Sequence, residues 1–201
     1  MKPRRKPTTR QKPDYFPAEN VLTGYDAPRL LARGSDFEQF RFVHCELSEA
    51  NLAGLRFEDC LFEHCNLATA RLSGTALQNV AFSHCKLLGV PFAACQDMLF
   101  GVHFEHCQLR YASFAGKRLA GTRFAHCTLD ETDFTNADLS GAVFQDCDLT
   151  RTVFHDTTLL AADFTTARHL RLDPEANRLA GARFALASLP GLLGRYDIVV
   201  E

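Results

Sequence analysis

Large apolar residues recur at every fifth position of this chain. They fall at Phe37, Phe42, Leu47, Leu52, Phe57, Phe62, Leu67, Leu72, Leu77, Phe82, Leu87 and Phe92. The beat resumes at Phe104 and runs through Leu109, Phe114, Leu119, Phe124, Leu129, Phe134, Leu139, Phe144, Leu149, Phe154 and Leu159 to Phe164. Two places before most of these sits a small residue: Ala, Cys, Ser, Thr or Val. Two inward positions in five fit neither the 3.6-residue period of a helix nor the alternation of a long strand. They predict a short extended segment followed by a turn, repeated.

A longer period lies on top of the beat. The phrase Phe-x-x-Cys-x-Leu (FQDCDL in its last copy) begins at Phe42, Phe62, Phe82, Phe104, Phe124 and Phe144, with four intervals of 20 residues and one of 22. Such a return marks a stack of near-identical units. Four five-residue sides therefore make one coil. Phe42, Phe62, Phe82, Phe104, Phe124, Phe144, Phe164 and Phe184 fall on one side; Leu47, Leu67, Leu87, Leu109, Leu129 and Leu149 fall on the next. At the parallel-strand spacing, seven to eight coils predict a rod on the order of 35 Å long.

These residues resemble the pentapeptide-repeat family over about residues 35–184. The resemblance implies an all-β fold, a right-handed quadrilateral β-helix. Around it the chain divides into a basic disordered tail (1–16), an N-terminal cap (17–36), the repeat region (37–184) and a C-terminal segment (185–201). In the cap, Val21, Leu22, Leu30 and Leu31 are expected to cover the open end of the core. Residues 95–101 carry two extra residues and are expected to bulge from a corner. His169 and Pro174 fall on inward slots, which predicts an irregular coil. Beyond them, Ser188 is expected to cap a short helix with Pro190 in its first turn, and residues 197–200 are expected to form a final strand.

Charge adds a second pattern. Net charge is −2 over 201 residues, but residues 1–16 hold six bases and one acid, so the rest carries −7. Residues 130–163 account for that excess: Asp130, Glu131, Asp133, Asp138, Asp146, Asp148, Asp156 and Asp163 face one base, Arg151. An acidic face of this kind is expected to meet a basic partner surface. No apolar run is long enough to span a membrane. The N-terminus has no apolar secretory core, and the expected location is the cytoplasm.

Five of the eight cysteines follow a histidine, at His44, His64, His84, His106 and His126. The pairing suggests metal, and metal storage is one reading of it. But Cys takes the inward slot and His the outward corner, so neighbours cannot share an ion. Neither a metal nor another cofactor is expected, and disulfides are disfavoured by the spacing of parallel rungs. A filled solenoid also leaves no cleft, which argues against an enzyme.

The C-terminal segment ARFALASLPGLLGRYDIVVE resembles that of the gyrase-protecting branch of the family, which includes quinolone-, albicidin- and microcin-resistance proteins. That resemblance implies a homodimer of rods joined end to end, acting as a DNA mimic toward DNA gyrase or topoisomerase IV, with no direct nucleic-acid contact. It places the dimer interface at Leu189, Leu192, Leu193, Tyr196, Ile198, Val199 and Val200. The acidic face and the bulge residues Asp97, Met98, Leu99 and Phe100 would meet the enzyme. The competing expectation is a passive protein-interaction scaffold with another partner.

Overall fold

Each five-residue unit folds in one way because each of its positions has one steric job. The large residue and the small residue two before it point inward, and the residues beside the large one point out. The residue two places after it turns the corner with positive φ, as at His44 (φ 51°), Glu49 (57°) and Asp59 (50°). The left-handed region is open mainly to Gly, Asn, Asp and His. That preference explains why histidine recurs at this slot and why Asp146 (φ 52°) replaces it one coil later.

The computed structural model describes residues 20–196 and 198, and these form a parallel β-solenoid of about eight turns. Nine short strands, from Val21–Thr23 to Arg183–Phe184, stack in one parallel sheet. A second sheet stacks Asp36–Glu38, Arg56–Glu58 and Ala76–Gln78. The register is Phe42↔Phe62, Phe62↔Phe82 and Phe124↔Phe144, with a 22-residue step at Phe82↔Phe104. We call the Phe42 column side one and the Leu47 column side two. Side three carries Leu52, Leu72, Phe92, Phe114, Phe134 and Phe154. Side four carries Phe37, Phe57, Leu77, Leu119, Leu139 and Leu159.

The core is a continuous column of rings. On side one, neighbouring phenylalanines stack at 4.4–5.5 Å between centroids. Phe114, Phe134 and Phe154 stack beside them on side three and meet them edge-on, as Phe114 meets Phe104 at 5.6 Å and 76°. Each such pair adds about 0.5–1.5 kcal/mol beyond its buried area. Small inward residues complete the packing and close hydrogen bonds to the preceding coil. Thr75 and Thr132 donate to the carbonyls of Leu52 and Leu109 at 2.8 Å. Cys60 and Cys85 thiols do the same to Phe37 and Phe62 at 3.2 and 3.3 Å. Cysteine is thus a threonine-sized filler with a weak donor.

The lead-in is itself a coil. Val21–Thr23 pairs with Arg41–Val43, so Leu22 sits in register with Phe42. One helical turn, Ala27–Leu31, follows; Asp26 caps it by accepting the Arg29 amide at 3.0 Å. Leu22 and Leu30 are buried and close the end of the core, whereas Val21 and Leu31 are exposed.

The C-terminal end departs from the expected slots. His169 is exposed, not inward, and its ring meets Asp148 at 2.8 Å. Leu170 and Leu172 are buried in its place. The chain slips by one residue because a buried imidazole would need a partner that the core lacks. The column then ends on half-buried Leu179 and Phe184. The helical stretch beyond is 3-10, in two pieces, Leu186–Leu192 and Gly194–Tyr196. Ser188 lies inside the first piece; it is not the cap, and its hydroxyl donates back to the Ala185 carbonyl at 2.8 Å. Pro190 has no N–H to give an α-helical ladder, and the bonds present run from residue i to i−3, as Leu193 to Pro190 at 3.1 Å. Gly191 lets this piece touch the coil: a Cβ there would overlap the Leu170 carbonyl oxygen. Arg195 fastens it to Asp173 and Glu175 at 3.0 and 2.7 Å. The tail at 1–16, most of the strand expected at 197–200, and Val199 and Val200 lie outside the described residues.

Candidate interaction surfaces

The eight acids surround the rod; they do not share a face. Asp163 borders side one, Asp148 side two, Asp133 side three and Asp138 side four, each immediately before the inward residue. Glu131, Asp146 and Asp156 are corner residues with φ of 54°, 52° and 51°. The acidic face expected from the sequence is therefore a belt, because outward slots that follow a five-residue beat visit every side of a four-sided coil.

Local backbone chemistry accounts for most of these acids. Asp133, Asp138, Asp148 and Asp163 each accept the amide two residues on, at 2.9–3.0 Å. Such a bond closes the turn. Although partial burial opposes it, hydrogen bonds from Thr150 and His169 hold the Asp148 carboxyl below its ordinary range. Partial burial also opposes ionisation at Asp163, where Thr165 and the nearby Arg183 prevail. Asp130 and Glu131 are gripped by Arg110 and Arg151, with the closest contact 2.7 Å, Arg151 to Glu131. Asp163 pairs with Arg183 at 3.0 Å. Asp146 and Asp156 lie 3.7 and 3.4 Å from the rings of His126 and His155, and the belt as a whole carries a net −7.

The histidines form an exposed column beside it. Ring centroids are 5.1, 4.8, 4.6 and 4.7 Å apart from His44 through His64, His84 and His106 to His126. Each following cysteine is buried on the other side of the wall. Burial pushes the Cys60 and Cys95 thiols up to about 12, so they stay protonated at neutral pH. Among the described residues no group of His, Cys, Asp and Glu converges as metal ligands, and every cysteine is free.

The insertion projects from a corner. Met98 and Leu99 are 75% and 72% exposed, while Phe100 is half-buried against the core. At the C-terminal end, Leu189, Tyr196 and Ile198 are exposed, and Leu192 and Leu193 are half-buried. Sequence reasoning missed Leu186, which is 84% exposed; its position three residues before Leu189 was the available signal. A groove of about 1140 Å³ separates this segment from the last full coil and is lined in part by Arg151, Arg168, His169, Arg171 and Arg195. Inside the rod, a void of about 10 Å³ is far too small for a ligand.

The pentapeptide repeat region model matches residues 35–114, 55–134 and 90–164, which together span most of the solenoid. The chain belongs to the pentapeptide repeat family. Solved structures similar to this pentapeptide-repeat protein include trypsin-treated QnrB1, a plasmid-mediated fluoroquinolone resistance protein, at 21% identity and TM-score 0.47, over 90% of this chain and 98% of that one. HetL of Nostoc, involved in heterocyst differentiation regulation, is 20% identical with TM-score 0.40, covering 83% of this chain and 84% of its own. A pentapeptide repeat protein of the Arabidopsis thaliana thylakoid lumen is 23% identical with TM-score 0.20, covering 64% and 72%. No curated protein matches the chain. Among the described residues, no helix of this pentapeptide-repeat protein is long and apolar enough to cross a membrane.

Proposed function

We propose that this protein is a non-catalytic, cytoplasmic DNA mimic that binds DNA gyrase or topoisomerase IV and protects it from a poison. The belt of net −7 around the last full coils carries the reading. DNA presents one charge per ~1.7 Å of axis on a rod, and a basic saddle built for it accepts another acidic rod. The solenoid supplies the rod and the belt supplies a diluted version of the charge. Met98 and Leu99 would add an apolar contact beside it. Pairing two chains through exposed Leu186, Leu189, Tyr196 and Ile198 would set one belt on each side of a two-fold axis.

The test is a supercoiling assay with gyrase and a quinolone or albicidin. The expected result is rescue of supercoiling at micromolar protein. Neither rescue nor inhibition at that level would end the proposal. The dimer has its own measurement: by sedimentation, the full chain is expected to run as a dimer and a chain truncated after Phe184 as a monomer. A truncated chain that remains a dimer would remove the C-terminal segment from the interface.

A second reading, a passive interaction scaffold, is favoured by the turn-closing bonds of Asp133, Asp138, Asp148 and Asp163. In that reading the acids serve the corners, and the partner uses another surface such as the histidine column.

A further inference from the structure

The insertion after Cys95 is held from inside the rod. On side four every coil from Phe37 to Leu159 offers an inward Leu or Phe, except where Asp97 stands between Leu77 and Leu119. The chain leaves the wall there. One coil later the slot two residues before the inward one, filled by Ser35, Leu55, Thr75, Cys95, Ala137 and Thr157 in the other coils, holds Lys117. Lys117 is 3% exposed, in a place where the other coils put an apolar or small side chain, Leu55 being the largest, and no other charge. Its Nζ donates to the Cys95 carbonyl at 2.5 Å and to Asp97 Oδ1 at 2.6 Å, and it lies 5.3 Å from the centre of the Phe100 ring. An amine with three donors is tolerable in a core only when its head is used, and here each contact falls on the loop.

Both ends of the loop are fixed by backbone bonds. Gln96 donates to the Thr75 carbonyl at 2.9 Å and its side-chain amide to that of Gly74 at 2.8 Å. Gly101 donates to Leu77 at 3.0 Å and accepts from Val80 at 2.9 Å. Between these ends, Lys117 grips Asp97 and faces Phe100. Met98 and Leu99 are left projecting, Leu99 with φ of 57°.

We propose that Lys117 is the positioning residue of this loop, clamping Asp97 through the wall so that Met98 and Leu99 stand pre-formed for an apolar pocket on the protein partner. The partner half of this inference rests on the topoisomerase reading above; the clamp does not. Holding the pair in its bound conformation before encounter removes the ordering cost of a free loop.

Limited chymotrypsin digestion of the full chain tests the clamp, since Met98, Leu99 and Phe100 are its sites. Lys117→Met keeps the length and apolar stem of the side chain and removes its donors. Cleavage in the loop is expected to rise about 10-fold or more, with the β-sheet signal by circular dichroism retained. Asp97→Asn is expected to raise it less. The double variant is expected to be cut no faster than Lys117→Met, because both changes break one contact. Loop cleavage at the wild-type rate in both single variants would overturn the clamp. If Lys117→Met does not fold, Asp97→Asn carries the test, because its carboxylate is exposed.

Gyrase binding tests the positioning. Lys117→Met is expected to weaken it about 10-fold, and so is Met98→Ala combined with Leu99→Ala. A freed loop with unchanged affinity would overturn the positioning role. If the wild-type chain does not bind gyrase, the partner assignment falls with the proposed function, and the digestion alone decides whether Lys117 holds the loop.

Discussion

Replacing Phe124 with Ala is expected to cost about 3–5 kcal/mol, the range for a buried ring that leaves a cavity. Phe124 is 0% exposed and stacks on Phe104 at 5.3 Å and Phe144 at 5.0 Å. Phe134 meets it edge-on at 5.7 Å. A globular core can relax into a hole from many directions. Here the neighbouring coils are fixed by the ladder bonds His126 to Gln145 and Thr128 to Cys107, at 2.8 and 3.0 Å, so collapse is restricted. Stability in a solenoid is a sum of coil terms and nearest-neighbour terms. The loss therefore falls on the contacts that couple the coils before Phe124 to those after it. Urea denaturation is expected to show a lower midpoint and a broader or split transition. A loss below about 1 kcal/mol, the cost of an ordinary mild substitution, would contradict the stacked-ring account.

Changing Asp133, Asp138, Asp148 and Asp163 together to Asn is expected to weaken gyrase binding on the order of 100-fold while leaving the fold in place. The choice of Asn follows from the turns. Each of these carboxylates accepts an amide two residues on, and the Asn side-chain oxygen accepts the same bond. Charge is removed and the corner keeps its closure. Substitution by Lys would remove both, and a loss of binding would then be ambiguous. The magnitude follows from about 0.7 kcal/mol for each charge, within the range of solvent-exposed pairs. Isothermal titration at two salt concentrations is the measurement. Unchanged affinity with a flat salt dependence would favour the scaffold reading, in which the acids serve the corners alone.

The repeat was legible because solenoid packing is local and periodic. Phe42 and Phe62 meet because they are 20 residues apart, and no long-range topology needs to be guessed. The lead-in was harder to read. Leu22 obeys the same return, but Val21 is apolar beside it, and a sequence does not say which of two neighbours turns inward. His169 was misplaced for the opposite reason: the beat put it inward, and the cost of burying an imidazole overrode the beat. The acidic belt was visible as charge but not as shape. Counting acids along the chain hides that Asp133, Asp138, Asp148 and Asp163 border four different sides. Lys117 was missed although its signal was present. It is a long cation in a small-residue slot, 20 residues after an acid in a large-residue slot, and neither anomaly means much until the two are read as one contact.

The 22-residue step at Phe82↔Phe104 has a mechanical consequence. Pulled from its two ends, this rod has no reason to yield all at once, because each coil is bonded to its neighbours alone. Force would peel it a coil at a time, and every ordinary rupture would free 20 residues, about 70 Å of extended chain at ~3.5 Å per residue. The coil that contains the insertion would free about 7 Å more. In a single-molecule trace, that one longer tooth would report when the peeling front passes Lys117, and from which end it came.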